Sequence, residues 1–184
     1  TLGVLSPKET YNYLSVIINK YPNIHFDFHA HNDYDLSVSN VMESLKAGCH
    51  GLHLTINGMG ERAGNAPMAS VAAVVRDFLP DVKINLEEKK LYKVSTLISA
   101  FTGFKIPANK PIVGENVFTQ TAGIHADGDS KNNLYFNDLL PERFGRIREY
   151  ALGKTSGKAN IKKNLDKLGI TLNDEDLKKV TNRV

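Results

Sequence analysis

The chain has 184 residues, 41% of them apolar, six histidines, one cysteine and a formal net charge of +3. That apolar share supports a globular core, and lysines scattered among acids create no demand for nucleic acid as a partner. A lone cysteine excludes an internal disulfide and fits a reducing, cytoplasmic setting. No apolar run reaches the ~18 residues of a membrane span, and TLGVLSPKET lacks the basic start and apolar stretch of a signal peptide.

Along the first 80 residues one plan repeats three times: an apolar run, a turn, an amphipathic helix. In the first unit Ser6, Pro7 and Glu9 read as a capping box with proline at the first helical position, and Leu14, Ile17, Ile18 and Tyr21 follow at helical spacing. The second unit is FDFHAHNDYDL and a helix bearing Val38, Val41, Met42 and Leu45, stopped near Gly48. The third is GLHLTI, the glycine-rich NGMGERAGN, and a helix with Val71, Val74, Val75 and Phe78. Cys49, between a helix and a strand, reads as a small packed hydrophobe. Strands alternating with helices predict α/β architecture with a parallel sheet. In such sheets the chemistry collects at the carboxyl ends of strands, where HAHND and NGMGERAGN both lie.

After Pro80 the pattern changes. Residues 85–88 can cap a helix bearing Leu91, Val94, Ile98 and Phe101 that ends near Gly103, and KIPANKPIVG is a proline-punctuated connector. From Glu115 the chain reads as irregular and polar, then as two short helices near residues 159–168 and 174–183.

In a strand, side chains of like parity share a face. Ile24, Phe26, Phe28 and Ala30 then lie on one side, and Asp27, His29 and His31 on the other. Two imidazoles at that spacing can converge on a metal ion just beyond the strand end; they can equally be strand-end histidines with local hydrogen bonds.

HAHND, NGMGERAGNAP, KPIVGENVFTQTAGIHADG and TSGK together resemble the 2-isopropylmalate synthase, homocitrate synthase and citramalate synthase family, in the family's order and along essentially the whole chain. The resemblance implies a TIM barrel followed by helical subdomains. TLG is similar to its sixth strand, FDFHAHND to its seventh and GLHLTINGMGERAGN to its eighth. The expected fold is therefore a partial TIM barrel of the last three β/α units, followed by a small, mainly helical region. Residues 1–84 would be the barrel portion, 85–114 a helical subdomain with its connector, and 115–184 a second subdomain reaching a partner's active site. A whole barrel takes about 250 residues and eight units, so the strands that in the family supply an aspartate ligand, a catalytic arginine and a catalytic glutamate have no counterpart here. The start on TLG and the stop at VTNRV favour an inactive fragment of a longer enzyme. HNDYDLS departs from the family pattern at Tyr34 and Asp35.

The family condenses acetyl-CoA with a 2-oxo acid and hydrolyses the thioester. Carried over by that resemblance, His29 and His31 are metal ligands for zinc, manganese or, less comfortably, magnesium. Asn65 completes or supports the set, or caps the next helix. Asp33 and Glu61 orient the ligand histidines, or are solvated loop carboxylates. Thr1 binds the oxo-acid carboxylate. His125 is the base, suited by a reference pKa near 6.5, and Tyr135 assists it. Lys154 and Lys158 read as solvated rather than as contacts to coenzyme A. A homodimer is implied, with 2-oxoisovalerate as substrate, pyruvate or 2-oxoglutarate as alternatives, and no membrane partner. Two competing readings are a lyase of the same superfamily acting on a 3-hydroxy acyl-CoA and a non-catalytic interaction module.

Overall fold

The computed structural model describes residues 2–120, 127–128, 138–153 and 156–183. The chain divides into two compact units, Thr1–Ile106 with Pro111–Val113, and Pro107–Lys110 with Gly114–Val184. The first carries β/α units on a parallel strand pair; the second is mainly helical beside another small parallel pair. The α/β expectation with a helical region following is met.

In the first unit, helix α1 (Pro7–Lys20) starts as its sequence requires. The Ser6 Oγ accepts from the Glu9 N–H at 3.4 Å, and the Glu9 carboxylate accepts from the Ser6 N–H at 2.9 Å. Its buried stripe is Thr10, with Leu14 and Ile18 half-buried, while Ile17 and Tyr21 are exposed. Strand β1 (Asp27–His29) leads to helix α2 (Ser37–Lys46), and β2 (Gly51–His53) leads to helix α3 (Met68–Phe78). The two strands are parallel, pairing Asp27 with Gly51, Phe28 with Leu52 and His29 with His53. Alternation then sends Phe28, Ala30, Leu52 and Leu54 toward the helices, where Val41, Val71 and Val75 close a core. Cys49 is buried, and burial pushes its thiol pKa up.

Residues 2–5, expected as the first of three strands, join no ladder. Gly3 takes a left-handed φ of +64°, which interrupts extended backbone, and the Asn40 side chain donates to the Leu5 carbonyl instead. Helix α4 (Leu91–Thr102) ends at Gly103 as the sequence predicts. It buries Leu91 and Ser95, however, and leaves Val94 and Phe101 of the expected apolar face exposed.

The second unit contains a parallel pair the sequence did not announce, β3 (Thr119–Gln120) with β4 (Glu149–Tyr150). Two residues per strand give alternation too little length to register. A 3₁₀ turn, Pro141–Phe144, buries the Phe144 ring beside Phe118. Helices α5 (Lys158–Lys167) and α6 (Asp174–Thr181) follow close to their expected bounds.

Candidate metal centre

Past β2 the chain turns through Ile56–Gly58 and a glycine-rich loop, then runs back antiparallel to the end of β1. The Ala66 N–H donates to the Ala30 carbonyl at 3.0 Å, and the Asn32 N–H donates to the Gly64 carbonyl at 2.9 Å. Between these two rungs His31 and Asn65 face each other as bridge partners. Parallel strands thus end in a short antiparallel ladder, and the ladder, not the strands, sets His31 beside Asn65.

The His29 and His31 rings are 4.9 Å apart at 82°, close enough to converge on one ion. His31 Nδ1 and Asn65 Oδ1 are both buried with no hydrogen-bond partner. Leaving such atoms unpaired costs about 1–3 kcal/mol each. The Asn65 amide is held by its other end, whose Nδ2 donates to the Met59 carbonyl at 3.1 Å. That orientation turns Oδ1 away from Met59. Helix α3 has no side-chain cap, so Asn65 does not cap it. Gly60 is required where it stands, because a Cβ there would overlap the Asn65 amide. Two imidazoles and an amide oxygen form a donor set that borderline divalent cations accept, and the two unpartnered atoms, His31 Nδ1 and Asn65 Oδ1, belong to that set. Among the described residues no group of three or more His, Cys, Asp or Glu side chains could hold a metal.

Asp33 pairs with Arg62, Oδ1 to Nε at 2.7 Å and Oδ2 to Nη2 at 3.2 Å. That guanidinium holds the Asp33 carboxyl below the usual carboxylate range, with a smaller contribution from His31. Glu61 is exposed, 3.6 Å from the same guanidinium. Sequence reading singled out the glycines and Glu61 of this loop and passed over Arg62. A lone cation between glycines, facing an acidic loop, was the available signal. A second carboxylate was also overlooked: Asp27 lies 2.7 Å from His25 Nε2 and 3.2 Å from His53 Nε2. The hydrogen bond from His25 is the main cause of its lowered pKa. Lys158 opens α5 and is exposed. Thr1, His125, Tyr135 and Lys154 lie outside the described residues.

Residues 1–98, more than half of the chain, match the HMGL-like family, and the stretch includes both histidines and the glycine-rich loop. The chain belongs to the HMGL-like family. Residues 112–184 of this HMGL-like chain match a second family, the homocitrate synthase post-HMGL domain-like one. A 2-isopropylmalate synthase from Sulfurisphaera tokodaii is 38% identical over the whole chain, which covers 47% of that protein. A homocitrate synthase from Sulfolobus acidocaldarius is 36% identical over the whole chain, which covers 39% of it. The HMGL-like chain therefore spans less than half the length of these relatives. Among solved structures, an HMG-CoA lyase from Acinetobacter baumannii, in complex with coenzyme A and 3-methylmalate, matches with a TM-score of 0.51 and 18% identity. The match covers 58% of this chain and 36% of that one. At that identity the likeness speaks for the fold alone.

Proposed function

We propose that this chain carries part of the active site of a metal-dependent Claisen-condensing enzyme, joining the acetyl group of acetyl-CoA to a 2-oxo acid. The substrate we infer is 2-oxoisovalerate, with 2-isopropylmalate as product and a place in branched-chain amino-acid biosynthesis. The observation that carries the reading is the pair of unpartnered buried atoms, His31 Nδ1 and Asn65 Oδ1, on facing residues, with the His29 ring 4.9 Å from that of His31. Family membership and the 2-isopropylmalate synthase relative support it.

In this reading His29, His31 and Asn65 hold a divalent ion, zinc, manganese or magnesium. When bound, such an ion supplies Lewis-acid polarisation of a chelated oxo-acid carbonyl. The chain's own residues do the rest. Thr1 hydrogen-bonds the oxo-acid carboxylate. His125 takes the methyl proton of acetyl-CoA at a ring nitrogen, and Tyr135 assists by hydrogen bonding. Asp33 and Glu61 orient the ligand histidines. Residues 115–184 would bring His125 and Tyr135 to the other subunit's site in a homodimer. Alone, the chain, which spans less than half the length of its synthase relatives, is expected not to turn over.

Calorimetric titration with zinc or manganese, beside a His29→Ala/His31→Ala variant, tests the site. Heat of binding lost in the variant supports it, and equal heats remove it. Coenzyme A release by the chain alone, absent in His125→Ala, would overturn the inactivity. The post-HMGL match and the homocitrate synthase relative favour a second reading with 2-oxoglutarate as substrate. Binding of each oxo acid to the zinc-loaded chain separates the two.

A further inference from the structure

Arg62 is the residue of the glycine-rich loop that combines a left-handed backbone, φ +53°, with a long side chain. L-residues avoid that region unless their surroundings hold them there. The two-point pair with Asp33, at 2.7 and 3.2 Å, helps to hold Arg62 there. Asp33 lies two residues past His31, and Arg62 three before Asn65. The pair therefore closes the open end of the ladder whose inner rungs are Ala30 with Ala66 and Asn32 with Gly64. The Asp33 side chain is 21% exposed and that of Arg62 41%, so water reaches the pair and its strength rests on the two-point geometry. Gly3 adds to the fit, since a Cβ on it would stand 2.5 Å from Asp33 Oδ2. Without the pair, the glycine-rich loop that carries Asn65 is tied to the end of β1 through backbone rungs such as Asn32 to Gly64 and Ala66 to Ala30.

We propose that Arg62 is a positioning residue: through Asp33 it locks the glycine-rich loop onto the end of β1, and so sets the affinity of His31 and Asn65 for a divalent cation. The affinity half of the proposal rests on the metal reading above; the locking half does not. A planar fork gripping both carboxylate oxygens is something a lysine point charge cannot reproduce.

The test uses the full 184-residue chain as Arg62→Ala, Arg62→Lys, Asp33→Asn and the Arg62→Ala/Asp33→Asn double variant. The first readout is amide exchange at Asn32 and Ala66 without metal. We expect it about tenfold faster in Arg62→Ala, as for loss of a charge-assisted hydrogen bond, only partly restored in Arg62→Lys, and unchanged within α3. The second is cobalt(II) titration followed by visible absorption. We expect affinity to fall about tenfold, toward the low end for loss of a residue supporting metal ligands, with no further loss in the double variant. Unaltered exchange in Arg62→Ala, or losses that simply add in the double variant, would overturn the lock. Should exchange respond while affinity does not, the lock stands and the affinity claim falls. Cobalt uptake absent from the parent chain, with exchange responding, sinks the metal reading and leaves the lock in place.

Discussion

The two units are held together by different means. In the first, aliphatic side chains do the work: Val41, Val71 and Val75 from α2 and α3 meet Phe28 of β1 and Ala30 just past it. In the second, strands of two residues leave carbonyls that no ladder reaches, and side-chain amides take them. The Asn160 Nδ2 donates to the Ala151 carbonyl at 2.8 Å, and the Asn164 Nδ2 donates to the Tyr150 carbonyl at 2.7 Å. The Arg146 guanidinium donates to the Gly114 and Glu115 carbonyls, both at 3.0 Å. Asn160 is fully buried, so its bonds have no water to fall back on. A region poor in regular pairing needs buried polar donors to satisfy its backbone. A region with strands and patterned helices can fill its interior with valine.

The sharpest break in this contrast comes from Phe144→Ala. The ring is fully buried, and its loss should destabilise the second unit by about 3–5 kcal/mol. Amide exchange within α5 reads the effect, and protection that does not change would show the ring to be dispensable. In the first unit Val75→Ala should cost about 2–3 kcal/mol, lost burial plus a cavity. A urea midpoint that fails to move would mean the core collapses around the gap. Asn160→Ala tests the amide strategy directly. Stranding the Ala151 carbonyl should cost about 1–3 kcal/mol, seen as faster exchange at α5, whereas Ser44→Ala in the first unit should cost less. Ser44 Oγ donates to a carbonyl of its own helix, that of Val41, at 2.7 Å, and is also hydrogen-bonded with the Cys49 thiol.

The smallest effect expected is a pH dependence at α1. Hydrogen bonds from the Ser6 hydroxyl and backbone lower the Glu9 pKa from its ordinary 4.5. A depressed folded value means the cap's contribution is fully present above 4.5 and is lost as pH falls through the lowered value. Amide exchange in the first turn of α1, followed from pH 6 down to about pH 2, should rise relative to Glu9→Gln, in which the carboxylate is absent. Parallel behaviour of the two proteins would show the box to be ornamental in solution.

Periodicity and local chemistry told most of the first unit in advance. The capping box at Ser6, the stop at Gly103, and the parity that puts Phe28 and Ala30 opposite His29 are consequences of residues within a few positions of each other. So is the placing of HAHND and NGMGERAGN at strand ends. Tertiary structure decided what those ends do. Nothing periodic says that the loop after β2 returns antiparallel to β1, because the Ala66–Ala30 and Asn32–Gly64 bonds join backbone groups, which every residue carries alike. Side-chain identity does not encode them. The same holds for Asp33, whose partner in the fold is an arginine 29 positions away. It holds for α4, whose helical spacing was plain while its buried face depended on which neighbour came to cover it. Local pattern sets which elements form; long-range backbone pairing and charge pairing set which of their side chains meet.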